Sequence, residues 1–194
     1  MCTWVRIRDF YKTVLGICDP QVLQIFEEYS RVETVPRGTR LVSMGEQMGE
    51  LYFLVEGVLR GYVVEENGQD ITDCFICQAG DPVIGCGGFS APSPIHIETI
   101  TGCQLVALPL QELLSLLDRP EIMKIYCVQL EQALQRHWNV KMLLYRCDAM
   151  ERYRWFLQQY PQLERQVNGK HVASFLGMTP VTLSRLRRKL KSEQ

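Results

Sequence analysis

Apolar residues are spaced as in helices near the N-terminus, as in strands through the middle, and as in helices again toward the C-terminus. Residues 9–30 predict helix, and Asp19-Pro20 supplies an N-cap and first residue for a second helix there. From Val32 to Pro109, short apolar segments alternate with turns, including the hairpin signal Glu66-Asn67-Gly68. Seven or eight strands at this spacing predict an antiparallel jelly roll or barrel.

A long stretch without Gly or Pro follows, from Glu121 to about Met150. Its apolar residues alternate at three and four positions, which is the spacing of a coiled coil and predicts pairing with a second copy of the helix. The alternative is a helix that packs on its own β domain. The predicted dimer seam consists of Tyr126, Leu130, Ala133, His137, Val140 and Leu144.

Two short helices joined by a tight turn are predicted between Lys170 and Lys191. Gly177 can take a positive φ where the first helix ends, and Thr179 and Pro180 suit the N-cap and first residue of the second. This order is that of a helix-turn-helix, whose second helix fits a major groove. An ordinary amphipathic helix pair with a solvated charged face is the alternative. The predicted DNA-binding residues are Thr179, Pro180, Val181, Thr182, Ser184, Arg185, Arg188 and Lys189.

Charge is distributed unevenly between the two parts of the chain. Residues 146–194 contain ten Lys or Arg and four Asp or Glu, a net charge of +6. Residues 1–145 contain eleven and eighteen, a net charge of −7, and the two parts sum to the overall −1. A basic C-terminal module on an acidic body is the distribution expected of a DNA-binding protein.

Composition indicates a soluble globular protein, with 46% hydrophobic and 22% charged residues. The N-terminus lacks the apolar core of a signal peptide, and no segment reaches the length of a membrane span. We therefore expect a cytoplasmic protein whose eight cysteines are mostly reduced.

We expect no metal, no cofactor and no catalytic residues. Cys74 and Cys77 are three apart in a predicted strand, where their side chains point to opposite faces and cannot chelate one ion. A cupin-like metal-dependent enzyme is the alternative class, because its barrel is similar. Cupin sites need several histidines, and here His96 and Glu98 form the only fragment of such a set.

The turn Gly45-Glu46, the segment LYFLV before Glu56-Gly57, and GMTPVTLSRLRRKL resemble the Crp/Fnr superfamily of bacterial transcription regulators. The resemblance covers nearly the whole chain and implies an α+β fold. It places a cyclic nucleotide-binding-like antiparallel β-roll (a double-stranded β-helix or jelly roll) with flanking helices in residues 1–120. A dimerisation helix follows in 121–147, and a winged helix-turn-helix in 148–194. Because the chain ends soon after the second helix, we expect no full β-hairpin wing.

The resemblance also implies partners. They are a palindromic double-stranded DNA site, a second copy of the chain in a homodimer, and a small-molecule effector, with RNA polymerase as a further candidate. No membrane partner is expected. Within the DNA complex, we expect Arg185 to pair with guanine O6 and N7, and Arg188 and Lys189 to contact phosphate.

Cyclic nucleotide binders of this superfamily carry a Gly-Glu pair followed by an arginine that neutralises the phosphate. Here no Glu follows Gly85, and no Arg or Lys lies between Arg60 and Arg119. We therefore expect the roll to bind a small effector other than cyclic AMP, or to act as a ligand-free scaffold. The predicted effector pocket contains Gly85, Cys86, Gly87, Phe89, Ser93, His96, Gln129, Gln132 and Arg136.

Overall fold

The computed structural model describes residues 6–85 and 91–192. They form two compact units. The first contains residues up to Gly61 together with Phe75–Glu131, and the second contains Tyr62–Cys74 together with the residues from Gln132 onward. The long helix and the β4–β5 hairpin therefore each contribute to both units.

The described residues contain eight helices and eight strands. The helices are α1 (Ile7–Thr13), α2 (Pro20–Tyr29), α3 (Leu110–Ser115), α4 (Pro120–Arg146), α5 (Ala149–Gln159), α6 (Leu163–Gln166), α7 (Gly169–Phe175) and α8 (Pro180–Ser192). The strands are β1 (Arg31–Val35), β2 (Arg40–Val42), β3 (Glu50–Glu56), β4 (Leu59–Val64), β5 (Asp70–Ile76), β6 (Pro82–Val83), β7 (His96–Thr99) and β8 (Cys103–Pro109).

The strands build two four-stranded sheets, in the orders β1-β8-β3-β6 and β2-β7-β4-β5. Strand β8 pairs antiparallel with both β1 and β3, so that Val106 lies opposite Val32 on one side and Phe53 on the other. Each sheet contributes fully buried side chains, such as Leu105 in β8 and Ile97 in β7. The antiparallel β-roll predicted from the spacing of short apolar segments is confirmed.

Helices α1 and α2 are attached to the roll by aromatic packing. The ring of Tyr11 lies 4.5 Å from Phe26 and 6.0 Å from Phe53 of β3, measured between centroids. The Tyr11 hydroxyl is hydrogen-bonded to Ser30 Oγ at 2.8 Å, which satisfies the one polar atom of a side chain with no exposed surface.

The long helix ends at Arg146, one residue before the limit at 147 expected for the dimerisation helix, although no Gly or Pro occurs until after Met150. The reason is a capping box at the start of α5. The Asp148 carboxylate accepts hydrogen bonds from the amides of Met150 and Glu151, and the Glu151 carboxylate accepts one from the Asp148 amide. Because both side chains satisfy amides of a new first turn, they start a second helix without any Gly or Pro between the two.

An ion-pair network lies across strands β1 and β3. Arg31 forms a two-pronged ion pair with Glu50 and also bonds Glu33, while the Tyr52 hydroxyl donates to Glu50 at 2.9 Å. The Arg31 guanidinium holds the pKa of Glu50 below its ordinary value, because it bonds the charged carboxylate.

Glu50→Gln is expected to destabilise the protein at neutral pH and to have less effect in acid. A lowered folded-state pKa gives stability that is present above the unfolded pKa of about 4.3 and is lost as pH falls through the folded value. The difference in melting temperature from wild type should be constant from pH 6 to 8 and should narrow below about pH 4.3. Glu66→Gln at the exposed hairpin turn is the control, and a gap that widens in acid contradicts the prediction.

Candidate nucleic-acid interface

The turn between α7 and α8 is closed by main-chain hydrogen bonds centred on Gly177, whose φ is +60°. The Gly177 amide donates to the Ser174 carbonyl at 3.0 Å, and the Met178 amide donates to the Ala173 carbonyl at 2.9 Å. This pair of bonds is a Schellman motif, which needs a left-handed residue after the helix and so favours glycine. The turn predicted from the sequence is therefore present.

Helix α8 begins with Thr179 as its N-cap, as the sequence predicts. The Thr182 amide donates to Thr179 Oγ1 at 3.1 Å, and the two threonine hydroxyls are 2.9 Å apart. Pro180 occupies the first helical position, where its missing N–H costs no hydrogen bond. The start of α8, and with it the direction of the helix, is thus fixed by residues close in sequence.

The inner faces of α7 and α8 are buried against α5 and α6. Phe175 of α7 contacts Phe156 of α5, with ring centroids 6.2 Å apart, and both side chains are buried. Leu183 of α8 is 1% exposed, while Leu186 and Leu190 are half-buried. This packing leaves one longitudinal face of α8 free.

The free face of α8, here called the outer surface, contains most of the predicted DNA-binding residues. The exposed ones are Thr179, Pro180, Val181, Ser184, Arg185, Arg188 and Lys189, whereas Thr182 is half-buried. Helix α8 has no acidic residue between Pro180 and Ser192, so the outer surface is basic. An exposed helix with a capped N-terminus and a basic face has the shape and charge that suit a DNA major groove.

Arg152 of α5 stabilises the turn between α7 and α8. Its Nη1 donates to the carbonyl of Leu176 at 2.7 Å and to that of Gly177 at 3.3 Å. A guanidinium at a helix C-terminus satisfies carbonyls that have no partner within the helix. Sequence reasoning did not assign this role, because the acceptors lie 24 and 25 residues from the arginine.

Arg187 is the second residue that sequence reasoning missed. It lies on the inner side of α8, four residues after buried Leu183, and forms an ion pair with Glu164 of α6 at 2.7 Å. The sequence places this arginine on a helix face made of leucines. A charge in such a position needs a partner, and this requirement could have identified the residue.

Helix α7 is also bonded to the β5 segment of the same unit. The Thr72 amide donates to Ser174 Oγ at 2.9 Å, and Ser174 Oγ donates to the Asp70 carbonyl at 3.3 Å. Residues of the β4–β5 hairpin thus contact the helix-turn-helix within the second unit.

The predicted effector residues are divided between the two units. Gly85, Ser93, His96 and Gln129 belong to the first unit, and Gln132 and Arg136 to the second. Cys86, Gly87 and Phe89 lie outside the described residues.

Gly85 and Ser93 belong to the segment that matches the phosphate cassette of cyclic nucleotide binders in sequence, and they pack closely together. Ser93 is 4% exposed, and its hydroxyl donates to the Ile95 carbonyl at 2.7 Å. Gly85 packs so closely on it that a Cβ there would collide with Ser93 Oγ. The Ser93 amide and carbonyl are bonded to the Glu46 carbonyl and the Gly45 amide. These polar groups therefore already have partners within the protein.

The roll contains an ion pair that involves a buried arginine. Arg60 of β4 is 3% exposed, and its Nε donates to Glu98 of β7 at 2.7 Å. No Arg or Lys occurs between Arg60 and Arg119. The positive charge of Arg60 is thus balanced by a carboxylate. His96, two residues before Glu98, accepts a hydrogen bond from the Met44 amide at its Nδ1.

Helix α4 carries an apolar stripe that is open to solvent. Its most exposed members are Tyr145 at 74%, Leu134 at 67%, Leu130 at 56% and Trp138 at 53%. Of the predicted seam, Leu130, His137 and Leu144 are exposed, while Tyr126, Ala133 and Val140 are half-buried within the chain. The exposed stripe is therefore rotated slightly from the seam predicted by sequence, toward Leu134 and Trp138.

Comparison with known proteins identifies the fold. Residues 32–120 match the cyclic nucleotide-binding domain family. FixK2 from Bradyrhizobium japonicum superposes with a TM-score of 0.72 at 21% identity, over 84% of this chain and 85% of its own. A protein from Eubacterium rectale assigned to the Crp/Fnr family of transcriptional regulators superposes with a TM-score of 0.71 at 13% identity, over 94% and 88%. This chain has the Crp/Fnr fold.

A third similar structure is the c-di-GMP responsive global regulator CLP from Xanthomonas campestris. It superposes with a TM-score of 0.72 at 19% identity, over 90% of this chain and 93% of CLP. No curated protein matches the chain by sequence. The fold implied by the Crp/Fnr resemblance is confirmed, together with its α+β architecture.

Two further observations concern other classes of protein. None of the described helices has the length and apolar character needed to cross a bilayer. Within residues 6–85 and 91–192, no three His, Cys, Asp or Glu side chains are grouped as metal ligands. Cys74 is half-buried in β5, and Cys77 follows the end of that strand.

Proposed function

We propose that this chain is a sequence-specific DNA-binding transcription regulator of the Crp/Fnr type, non-enzymatic, cytoplasmic and homodimeric. The observation that carries the proposal is the outer surface of α8. Its basic side chains are exposed, its inner face is buried, and both its start and the preceding turn are fixed by hydrogen bonds. A helix held in this way can enter a groove without reorganising.

The residues of the outer surface divide into two roles. Arg185, near the middle of α8, would pair with guanine O6 and N7, while Arg188 and Lys189 would contact phosphates. Pro180 and exposed Val181 offer apolar contact to a thymine methyl group. The hydroxyls of Thr179 and Thr182 are hydrogen-bonded to each other, so they would contact DNA while this bond is kept.

The dimer would form through the exposed apolar stripe of α4. An exposed contiguous stripe of this kind on a long helix is typical of an interface. A twofold dimer presents two recognition helices to half-sites about one helical turn apart, so the DNA site would be palindromic. RNA polymerase is a further candidate partner of the DNA-bound dimer.

Selection of bound sequences from a random DNA pool tests the proposal. A DNA-binding regulator of this type should enrich a palindromic motif with half-sites 10–10.5 base pairs apart or a multiple of that distance. Recovery of no motif, with only weak salt-dependent binding to all DNA, would count against it. Activity as a cupin-like enzyme would instead require a bound metal, which elemental analysis of the purified protein detects.

The roll would not use cyclic AMP as its effector. Binding would bury the phosphate charge, which costs several kcal/mol unless a cation balances it. Arg60 is balanced by Glu98, and the polar groups of Ser93 are already bonded. CLP, described as c-di-GMP responsive, supports the view that this fold takes other effectors.

Calorimetric titration with cyclic AMP and cyclic GMP should therefore show no binding at micromolar concentrations. A cyclic AMP-binding regulator measured in the same buffer provides the positive control. Micromolar affinity for either nucleotide would refute this prediction. Arg136 of α4 is the residue to substitute first in that event. If neither binds, a thermal-shift screen of small metabolites separates an unknown effector from a ligand-free scaffold.

A further inference from the structure

The inner side of α8 carries a charged contact that holds the helix to the rest of the DNA-binding unit. Arg187 donates from Nε to Glu164 Oε1 at 2.7 Å and from Nη2 to Oε2 at 3.0 Å. The Arg187 side chain is 31% exposed and that of Glu164 is 23% exposed, so the pair is largely sheltered from solvent. Two parallel bonds between planar groups fix orientation as well as distance.

Two further groups converge on this ion pair. The hydroxyl of Tyr153 in α5, whose side chain is buried, donates to Glu164 Oε1 at 2.7 Å. Burial and the bond to the Glu164 carboxylate raise the pKa of Tyr153 to about 12, so it stays a donor. Gly169, the first residue of α7, lies beside the guanidinium, where a Cβ would be 2.8 Å from Arg187 Nη1. Helices α5, α6 and α7 therefore all meet at Arg187.

The ion pair between Arg187 and Glu164 restricts the rotation of α8 about its own axis. Arg185 and Arg188 are two residues before and one residue after Arg187, and both are exposed. With a helix radius of about 5–6 Å including side chains, a rotation of about 20° moves a side-chain tip by about 2 Å. A hydrogen bond to a base edge does not survive a displacement of that size. A phosphate contact through a flexible side chain tolerates it.

We propose that Glu164 is a positioning residue for DNA sequence recognition, acting through its ion pair with Arg187. The inference rests on the proposed DNA-binding function. By fixing the rotation of α8, Glu164 would align Arg185 with base edges, although it contacts the inner side of α8 and not the outer surface. Its contribution would therefore appear in discrimination between sequences and not in general affinity for DNA.

Two variants test this without touching the outer surface. Glu164→Gln keeps the size of the side chain but removes the carboxylate that accepts both bonds from Arg187. Gly169→Ala leaves every charge in place and improves helix propensity, while its Cβ would lie 2.8 Å from Arg187 Nη1 and require the guanidinium to shift. Glu131→Gln, an exposed position on α4, is the control for the change in charge. Binding to the selected site and to random DNA is measured below the melting temperature of every variant.

Both Glu164→Gln and Gly169→Ala are expected to weaken binding to the selected site about tenfold, the effect of a lost base contact, with less than about twofold change on random DNA. The dependence of binding on salt should stay unchanged, because the number of phosphate contacts is the same. Glu131→Gln should keep the wild-type ratio between the two DNAs.

Equal losses on both DNAs would show a merely structural role and would overturn the inference, as would an unchanged ratio in either test variant. If the wild-type protein itself prefers no sequence, the proposed function fails, and the inference fails with it before any variant is measured. If the wild type prefers the selected site over random DNA and the variants prefer it equally strongly, the inference is refuted while the proposed function stands.

Discussion

Arg185→Ala is expected to weaken binding to the selected DNA site by about 1–3 kcal/mol, or about 5- to 150-fold. Arg185 is exposed in the middle of the basic outer surface, where a guanidinium can form two bonds with one guanine. Alanine leaves the base edge unpaired, while the helix itself keeps its cap and its buried face. The loss should be confined to DNA that carries the guanine, measured by titration of labelled duplexes at fixed salt.

Lys189→Ala is the matched comparison, because Lys189 is an exposed cation on the same helix. A lysine that contacts phosphate contributes alike to every sequence, so this variant should weaken selected and random DNA by the same factor. The slope of log affinity against log salt should fall by about one for Lys189→Ala. If each variant loses the same affinity for the selected DNA as for random DNA, the proposed division between base and phosphate contacts is wrong.

Leu130→Lys is expected to prevent dimerisation and to reduce affinity for the palindromic site by about two orders of magnitude or more. Leu130 lies in the predicted seam and is 56% exposed in the single chain, so a charge there is tolerated by the monomer but not inside an interface. A monomer contacts only one half-site. It therefore loses the gain in affinity from binding both half-sites together, which is about 10²–10⁴-fold.

Light scattering with detection of mass during gel filtration tests the oligomeric state, at micromolar concentration and without ligand. Leu114→Lys on α3 is the control, since Leu114 is an exposed leucine outside α4 and its replacement should leave a dimer. A wild-type monomer under these conditions would contradict the proposed interface. So would a Leu130→Lys dimer that binds the palindrome as wild type does.

Local signals predicted the helix-turn-helix well, because the interactions that form it join residues close in sequence. The Gly177 turn and the Thr179 cap are made by hydrogen bonds that span three to five residues. The hairpin at Glu66-Asn67-Gly68 follows the same rule, with the Gly68 amide bonded to the Glu65 carbonyl. Gly, Pro and short polar side chains mark such structures wherever they occur.

The end of α4 lies at Arg146, one residue before the limit at 147 expected for the dimerisation helix, and its cause is local. No Gly or Pro occurs from Glu121 to about Met150, and the apolar spacing continues to Cys147, so these features alone do not show where the helix ends. Asp148 and Glu151 have the spacing of a capping box, yet this spacing also fits a helix interior. Only the direction in which the chain leaves Arg146 decides between the two.

The rotation of the α4 stripe needed the tertiary structure for a different reason. A heptad pattern specifies which residues share a face, but two adjacent faces of α4 are both apolar. The structure buries part of Tyr126, Ala133 and Val140 and leaves Leu134 and Trp138 exposed. Which apolar face is left for a partner depends on what the rest of the chain covers.

The sequence by itself determined the order of elements, the β-roll, the capped recognition helix and the lack of a cation between Arg60 and Arg119. The tertiary structure decided which charges are neutralised. Glu98 is 38 residues from Arg60, and Glu164 is 23 residues from Arg187. A positively charged side chain on an inner face needs a negatively charged partner, but many carboxylates in the sequence could be that partner. Only the folded chain selects one, because the strength of an ion pair depends on the distance and direction between two groups brought together by the fold.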